Sequence, residues 1–126
     1  MGRVVHFEIY ADDTQRAAKF YGDLFGWTFH KFEHADYWLV TTGPKEEPGI
    51  DGGLQPRPEP RETGSPTGFV CVVDVDDIDA AIAKAKALGA PEVDPKTPIP
   101  GIGWSAYFKD TEGNIFGVYK NDETAA

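Results

Sequence analysis

The sequence predicts an α+β fold made of two βαβββ units, and three observations point to it. The chain repeats itself. Shifted by 64 positions, VVHFEIYADDTQRAAKFYGDL (Val4 to Leu24) falls on GFVCVVDVDDIDAAIAKAKAL (Gly68 to Leu88), with Asp12-Asp13 on Asp76-Asp77, Ala17 on Ala81 and Leu24 on Leu88. The same shift carries Gly49 onto Gly113 and Gly53 onto Gly117. Self-similarity at a fixed offset is the mark of one supersecondary unit used twice. Within each copy an alternating run passes into apolar residues spaced by three and four, the change of period that separates a strand from a helix. Between the copies lies Pro56-Arg57-Pro58-Glu59-Pro60-Arg61-Glu62-Thr63-Gly64-Ser65-Pro66, an extended segment that neither a helix nor a central strand tolerates. The expected organisation is a first unit over 1–55, a linker over 56–66, a second unit over 67–121 and a tail over 122–126.

The first strand, about residues 3–10, places Val5, Phe7 and Ile9 on one face and His6, Glu8 and Tyr10 on the other. Asp12-Asp13-Thr14 is a helix start, with acids at the positive end of the dipole and a short polar side chain to cap free amides. Ala17, Phe20, Tyr21 and Leu24 then form one buried stripe, and Gly26 ends the helix. Three short strands follow near 27–33, 36–42 and 49–55. In the second unit the strand Gly68 to Asp74 is expected to hide Phe69, Cys71 and Val73, and a helix over 76–88 presents Ile78, Ala81, Ile82, Ala85 and Leu88 before Gly89. Pro91 to Gly103 reads as one short strand and a loop. WSAYFKDTEGNIFGVYK is a hairpin turning at Asp110-Thr111-Glu112-Gly113.

Composition narrows the function. The apolar fraction is 40% with 13% aromatics, and no apolar run approaches the ~20 residues that cross a bilayer. Met1-Gly2-Arg3 leads straight into a strand, so no signal peptide is expected. The lone Cys71 reads as a small core residue, and a reducing, cytoplasmic setting follows as the default. A net charge of −9, from 21 acids against 12 bases, repels nucleic acid and anionic membranes alike. No Gly-x-Ser-x-Gly, phosphate loop or Cys/His cluster is present, so covalent catalysis has no visible nucleophile. Asp74, Asp76, Asp77 and Asp79 lack the glycine and distal glutamate of a calcium loop and coincide with a helix start, where capping explains them. His30 and His34 fall in or beside a solvated turn.

VVHFEIYADD, the helix with Phe20-Tyr21 running to Leu24-Phe25-Gly26-Trp27, the second VDVDDIDAAIAKAKALGA and the closing FKDTEGNIFGVYK resemble the glyoxalase, bleomycin-resistance and extradiol-dioxygenase family, the vicinal oxygen chelate superfamily. The resemblance covers almost the whole chain. It implies two βαβββ modules whose curved sheets line one cavity, with a divalent metal held by the first and last strands of each module. Carried over residue by residue, the four ligand positions are His6, Gly53, Val70 and Gly117, of which only His6 offers a lone pair. The offset of 64 supports this independently by placing His6 on Val70 and Gly53 on Gly117. A rebuilt site of His6, Glu8 and Asp51 is the alternative, because Asp51 shares the inward face with Gly53 by period-two alternation.

The expected ligand pocket comprises His6, Glu8, Trp38, Asp51, Gly53, Val70, Trp104, Ile115, Gly117 and Tyr119. His6 and Glu8 are the acid/base or hydrogen-bonding candidates, the glycines would open space, and the aromatic residues would form a floor for an apolar or planar ligand. For any one tryptophan or tyrosine a structural role in the core competes with that reading. Two function classes follow. One is a small-molecule-binding protein of the bleomycin-resistance type that sequesters a ligand, with no cofactor. The other is a glyoxalase-like lyase or isomerase, using a rebuilt metal site or working metal-free through His6 and Glu8. A homodimer is expected, because short strands leave sheet surface to cover.

Overall fold

The structure, a computed structural model, describes residues 2–58 and 68–126, so residues 59–66 of the expected linker lie outside the described residues. The chain divides into two compact units, His6–Val70 and Cys71–Ala126 together with Met1–Val5. The dividing lines cut the first strand of each repeat. Along the chain run β1 (Val4–Ala11), α1 (Thr14–Phe25), β2 (Thr28–Lys31), β3 (Trp38–Thr41) and β4 (Asp51–Pro56), then β5 (Phe69–Asp74), α2 (Ile78–Ala87), β6 (Glu92–Ile99), β7 (Gly103–Lys109) and β8 (Ile115–Asn121). The fold is the α+β arrangement of two βαβββ units.

In the N-terminal unit β2, β3 and β4 are antiparallel neighbours and β4 runs parallel to β1. In the C-terminal unit β5 is parallel to β8, and β8, β7 and β6 are antiparallel neighbours. The register repeats with the sequence: Glu8 lies opposite Gly53 in one unit and Val72 opposite Gly117 in the other. Each parallel pair needs a crossover, and the helix supplies it.

Both helices are started by an aspartate. Asp13 accepts a hydrogen bond from the Arg16 amide at 3.0 Å and Asp77 from the Ala80 amide at 3.0 Å, each satisfying a donor the first turn leaves open. Gly26, at φ 75°, ends α1 and donates its amide to the Gly22 carbonyl. From α1, Ala18 is buried among Phe7, Ile9, Ala11, Val40 and Leu54, with Ala17, Tyr21, Trp27, Phe29 and Trp38 packed around them. Ile78, Ala106, Phe108 and Val118 form the corresponding core under α2. Neither helix is long and apolar enough to cross a membrane.

Three expectations need correction. Of the stripes expected on the helices, Phe20 and Leu24 of α1 are exposed, because the buried face is centred on Thr14, Ala18 and Tyr21 and leaves them to one side, and Leu88 is exposed where it caps the end of α2. In β5 the buried residues are Val70 and Val72, whereas Phe69 and Cys71 are exposed. FVCVVD carries apolar side chains on both faces, so alternation contains no contrast from which to choose. The stretch from Pro91 holds an eight-residue strand rather than a short one. As the outer strand of its sheet, β6 needs hydrogen bonds on one side only, and its register shifts either side of Asp94 absorb the irregularity around Pro95.

The last residues dock. The Asp122 carboxylate accepts from the Thr124 hydroxyl at 2.6 Å, the Thr124 amide at 2.9 Å and the Trp104 indole at 3.1 Å, and Gly101 donates its amide to the Ala125 carbonyl. These bonds, led by the Thr124 hydroxyl, hold the Asp122 carboxyl below its ordinary value of 3.8. A depressed pKa contributes stability above the ordinary value that is lost as pH falls through the folded one. In an acid titration followed by NMR, the Trp104 indole proton should therefore shift with a midpoint below 3.8. A midpoint at or above that value would contradict the contact. Leu54 and Phe108 are fully buried, one in each core, so Leu54→Ala should cost about 2–5 kcal/mol and Phe108→Ala about 3–5 kcal/mol in urea denaturation.

Candidate functional site

The face of the N-terminal sheet opposite α1 carries the candidate site. Its register lines up side chains in rows, with Glu8, Gly53, Leu39 and His30 in one row, His6 beside Asp51, and Tyr10 beside Gln55. Glu8 is 3% exposed. A carboxylate so buried must be met by donors, and three converge on it. His6 donates from Nε2 to Oε2, Tyr37 donates its hydroxyl to the same oxygen at 2.8 Å, and Gln55 donates its amide to Oε1 at 2.7 Å. The His6 side chain stays 32% exposed, and its other nitrogen, Nδ1, has no hydrogen-bond partner among the described residues.

Gly53 makes this geometry available. A Cβ placed there would stand 1.9 Å from the Tyr37 hydroxyl oxygen and 2.8 Å from Glu8 Oε1. Neither distance is tolerable, so the absent side chain is what lets Tyr37 reach the carboxylate. In the C-terminal unit the Tyr107 ring lies over Gly117, where a Cβ would meet it at 2.6 Å, and Tyr119 lies over Gly103 in the same way. The glycines expected to open space instead give it to tyrosines.

The remaining expected pocket residues divide. Asp51 turns toward the loop before β4, its Oδ1 accepting from the Thr42 amide at 2.8 Å and the Thr42 hydroxyl at 3.2 Å. Trp38 pairs with Leu54 and Trp104 with Lys120, which places both tryptophans on the helix-packed faces, away from Gly53 and Gly117 respectively. Neither shares the glycine's face, because the alternation in β3 and β7 puts the tryptophans one residue out of phase with the glycine-facing positions. Ile115 and Tyr119 do share the face of Gly117. Burial and, behind it, the Asp74 carboxylate hold the Tyr119 phenol above its ordinary pKa, so it remains a donor, to Asn121 at 3.1 Å and the Ile102 carbonyl at 3.3 Å. Val70 is buried.

A family model described as the Glyoxalase/Bleomycin resistance protein/Dioxygenase superfamily matches residues 3–118. The chain belongs to that superfamily. A putative glyoxylase, CFP32, of Mycobacterium bovis and Mycobacterium tuberculosis is 32% identical over 122 residues, which is 94% of this chain and 44% of that protein. The chain thus spans less than half the length of these relatives. A glyoxylase-like domain-containing protein of Didymella fabae is 28% identical over 125 residues, covering 93% of this chain and 92% of the relative. The crystal structure of a superfamily member from Vibrio splendidus 12B01, at 18% identity, matches with a TM-score of 0.67 over 96% of this chain and 100% of the other, a likeness of fold.

The metal that the superfamily resemblance implies does not fit these residues. At position 53 the space a ligand side chain would use holds the Tyr37 hydroxyl, and among the described residues no three His, Cys, Asp or Glu side chains gather as a ligand set. Asp51, engaged with Thr42, does not complete one with His6 and Glu8.

Tyr37 and Gln55 were missing from the residues expected at the site. Gln55 was within reach, since it lies two positions beyond Gly53 on one strand and therefore on the same face. Tyr37 precedes β3 and acts by reaching across the strand, which residue spacing does not encode. Removing Glu8 strips His6, Tyr37 and Gln55 of their acceptor. Glu8→Ala should cost about 1–3 kcal/mol or more in thermal unfolding, and the His6→Ala and Glu8→Ala losses should not add in the double variant.

Proposed function

We propose that this chain is a small-molecule-binding member of its superfamily whose N-terminal unit works without a divalent metal, through His6 held by Glu8. One observation carries the reading: the Tyr37 hydroxyl and Glu8 Oε1 fill the volume that a ligand side chain on β4 would need. Both Glu8 oxygens are already committed to hydrogen bonds, so the exposed part of His6 is the polar group left to meet a ligand. A protein so built sequesters its ligand through hydrogen bonding and shape.

A second reading is favoured by the same pair. A buried carboxylate that orients a partly exposed imidazole is the arrangement of a general base. His6 would take a proton from a carbon beside a carbonyl and return it to a neighbouring carbon or to the other face, as a metal-free isomerase does. Tyr37 and Gln55 would act as positioning residues through Glu8.

The test is metal and turnover together. Protein purified, stripped and re-exposed to zinc, nickel, iron or manganese should retain less than one equivalent by elemental analysis. One tightly held equivalent that disappears in His6→Ala would overturn the proposal. Isomerase or lyase turnover that survives chelation and is lost in His6→Ala would select the second reading over sequestration.

We also propose a homodimer, supported by the exposed apolar side chains of Leu24 and Phe25 on α1, together with Phe32 and Leu39. Sedimentation at micromolar concentration should show a dimer, and monomer alone would contradict it.

A further inference from the structure

The N-terminal unit has a cleft of about 390 Å³ at the end of β1 and beside the first turns of α1, lined by none of His6, Glu8, Tyr37 and Gln55. That volume falls in the range of small-ligand sites, roughly 300–1,000 Å³. One wall is aromatic. Phe20 is 58% exposed and Phe69 50% exposed, and both meet Tyr21 edge-on, at 5.2 Å and 6.1 Å between ring centres. Two large apolar rings left open to water in one cleft gain by covering a flat apolar body.

The other wall is charged, and its groups are unequally committed. Asp12 is paired with Arg57 at 2.9 Å. Asp13 caps α1 by accepting the Arg16 amide. The Arg16 guanidinium lines the cleft and makes no ion pair among the described residues. Both acids are therefore occupied while one cation remains available. A guanidinium offers a planar fork of donors that matches a carboxylate, and such charge-assisted pairs are the stronger kind of hydrogen bond. A cationic ligand would instead meet two aspartates already engaged and a second positive charge.

We propose that this cleft binds a small aromatic carboxylate, its ring against Phe20 and Phe69 and its carboxylate on Arg16. This site is independent of the His6 site and stands or falls without it.

The probes are 3-phenylpropionate and 2-phenylethylamine, which share a ring and differ in charge, titrated into isotope-labelled protein and followed by amide chemical shifts. The acid should saturate at up to millimolar concentration and perturb Arg16, Phe20 and Phe69, and the amine should not. Arg16→Gln and Phe20→Ala should each weaken the acid roughly tenfold or more, because each removes one half of the recognition. His6→Ala should leave it unchanged. Both altered side chains are exposed, so their melting temperatures should match the parent, and Arg16→Lys, which keeps the charge without the fork, should fall between. The proposal is overturned if the acid does not saturate, if the amine binds equally well, or if Arg16→Gln is without effect. It is overturned equally if the shifts cluster on His6 and Glu8 and vanish in His6→Ala, an outcome that would support the His6 site while removing this one.

Discussion

Burying the Glu8 carboxylate without donors would cost several kcal/mol, and its position between strands leaves few ways to supply them. The neighbouring strand provides Gln55, the residue two before it provides His6, and the third donor has to come from beyond β4. Tyr37 is long enough to reach, but only over a strand position that has no side chain. Gly53 is that position. The parallel register of β1 and β4, which sets Glu8 opposite Gly53, is thus as much a part of the site as the side chains are.

The repeat offers its own control. In the C-terminal unit Val72 stands where Glu8 stands and Gly117 where Gly53 stands, and a tyrosine again covers the glycine. There the atoms that crowd the glycine are carbons of the Tyr107 ring. One architecture therefore carries a carboxylate opposite its glycine in the first unit and a valine in the second. The first unit retains an imidazole with access to solvent, which is why the functional proposal rests on it.

Much of this was legible in the sequence, and the illegible parts share a cause. The repeat, the aspartate caps at Asp13 and Asp77, the stop at Gly26 and the turn at Asp110 each depend on residues a few positions apart, where spacing translates directly into geometry. The equivalence of Gly53 with Gly117 could be read because it depends on the offset of 64 alone. By contrast, the burial of Val70 and Val72 in place of Cys71 turns on which face of an apolar strand is covered, and the tryptophans turn on the phase of β3 and β7. The length of β6 depends on its position at the edge of a sheet, where proline costs little. Tyr37 was the least accessible, since its hydroxyl meets a residue 29 positions away across an intervening strand.

The most direct measurement of the central claim is a double-variant stability cycle between Gly53 and Tyr37. Gly53→Ala forces a methyl group onto the Tyr37 hydroxyl and should destabilise the protein by about 1–3 kcal/mol, the usual cost of overpacking. Introduced into Tyr37→Ala, where the ring is gone, the same methyl group should cost much less, and the two variants should be strongly non-additive in chemical denaturation. If Gly53→Ala costs as much in the Tyr37→Ala background as in the parent, then the tyrosine does not occupy the space over Gly53, and the steric basis for a metal-free site is lost.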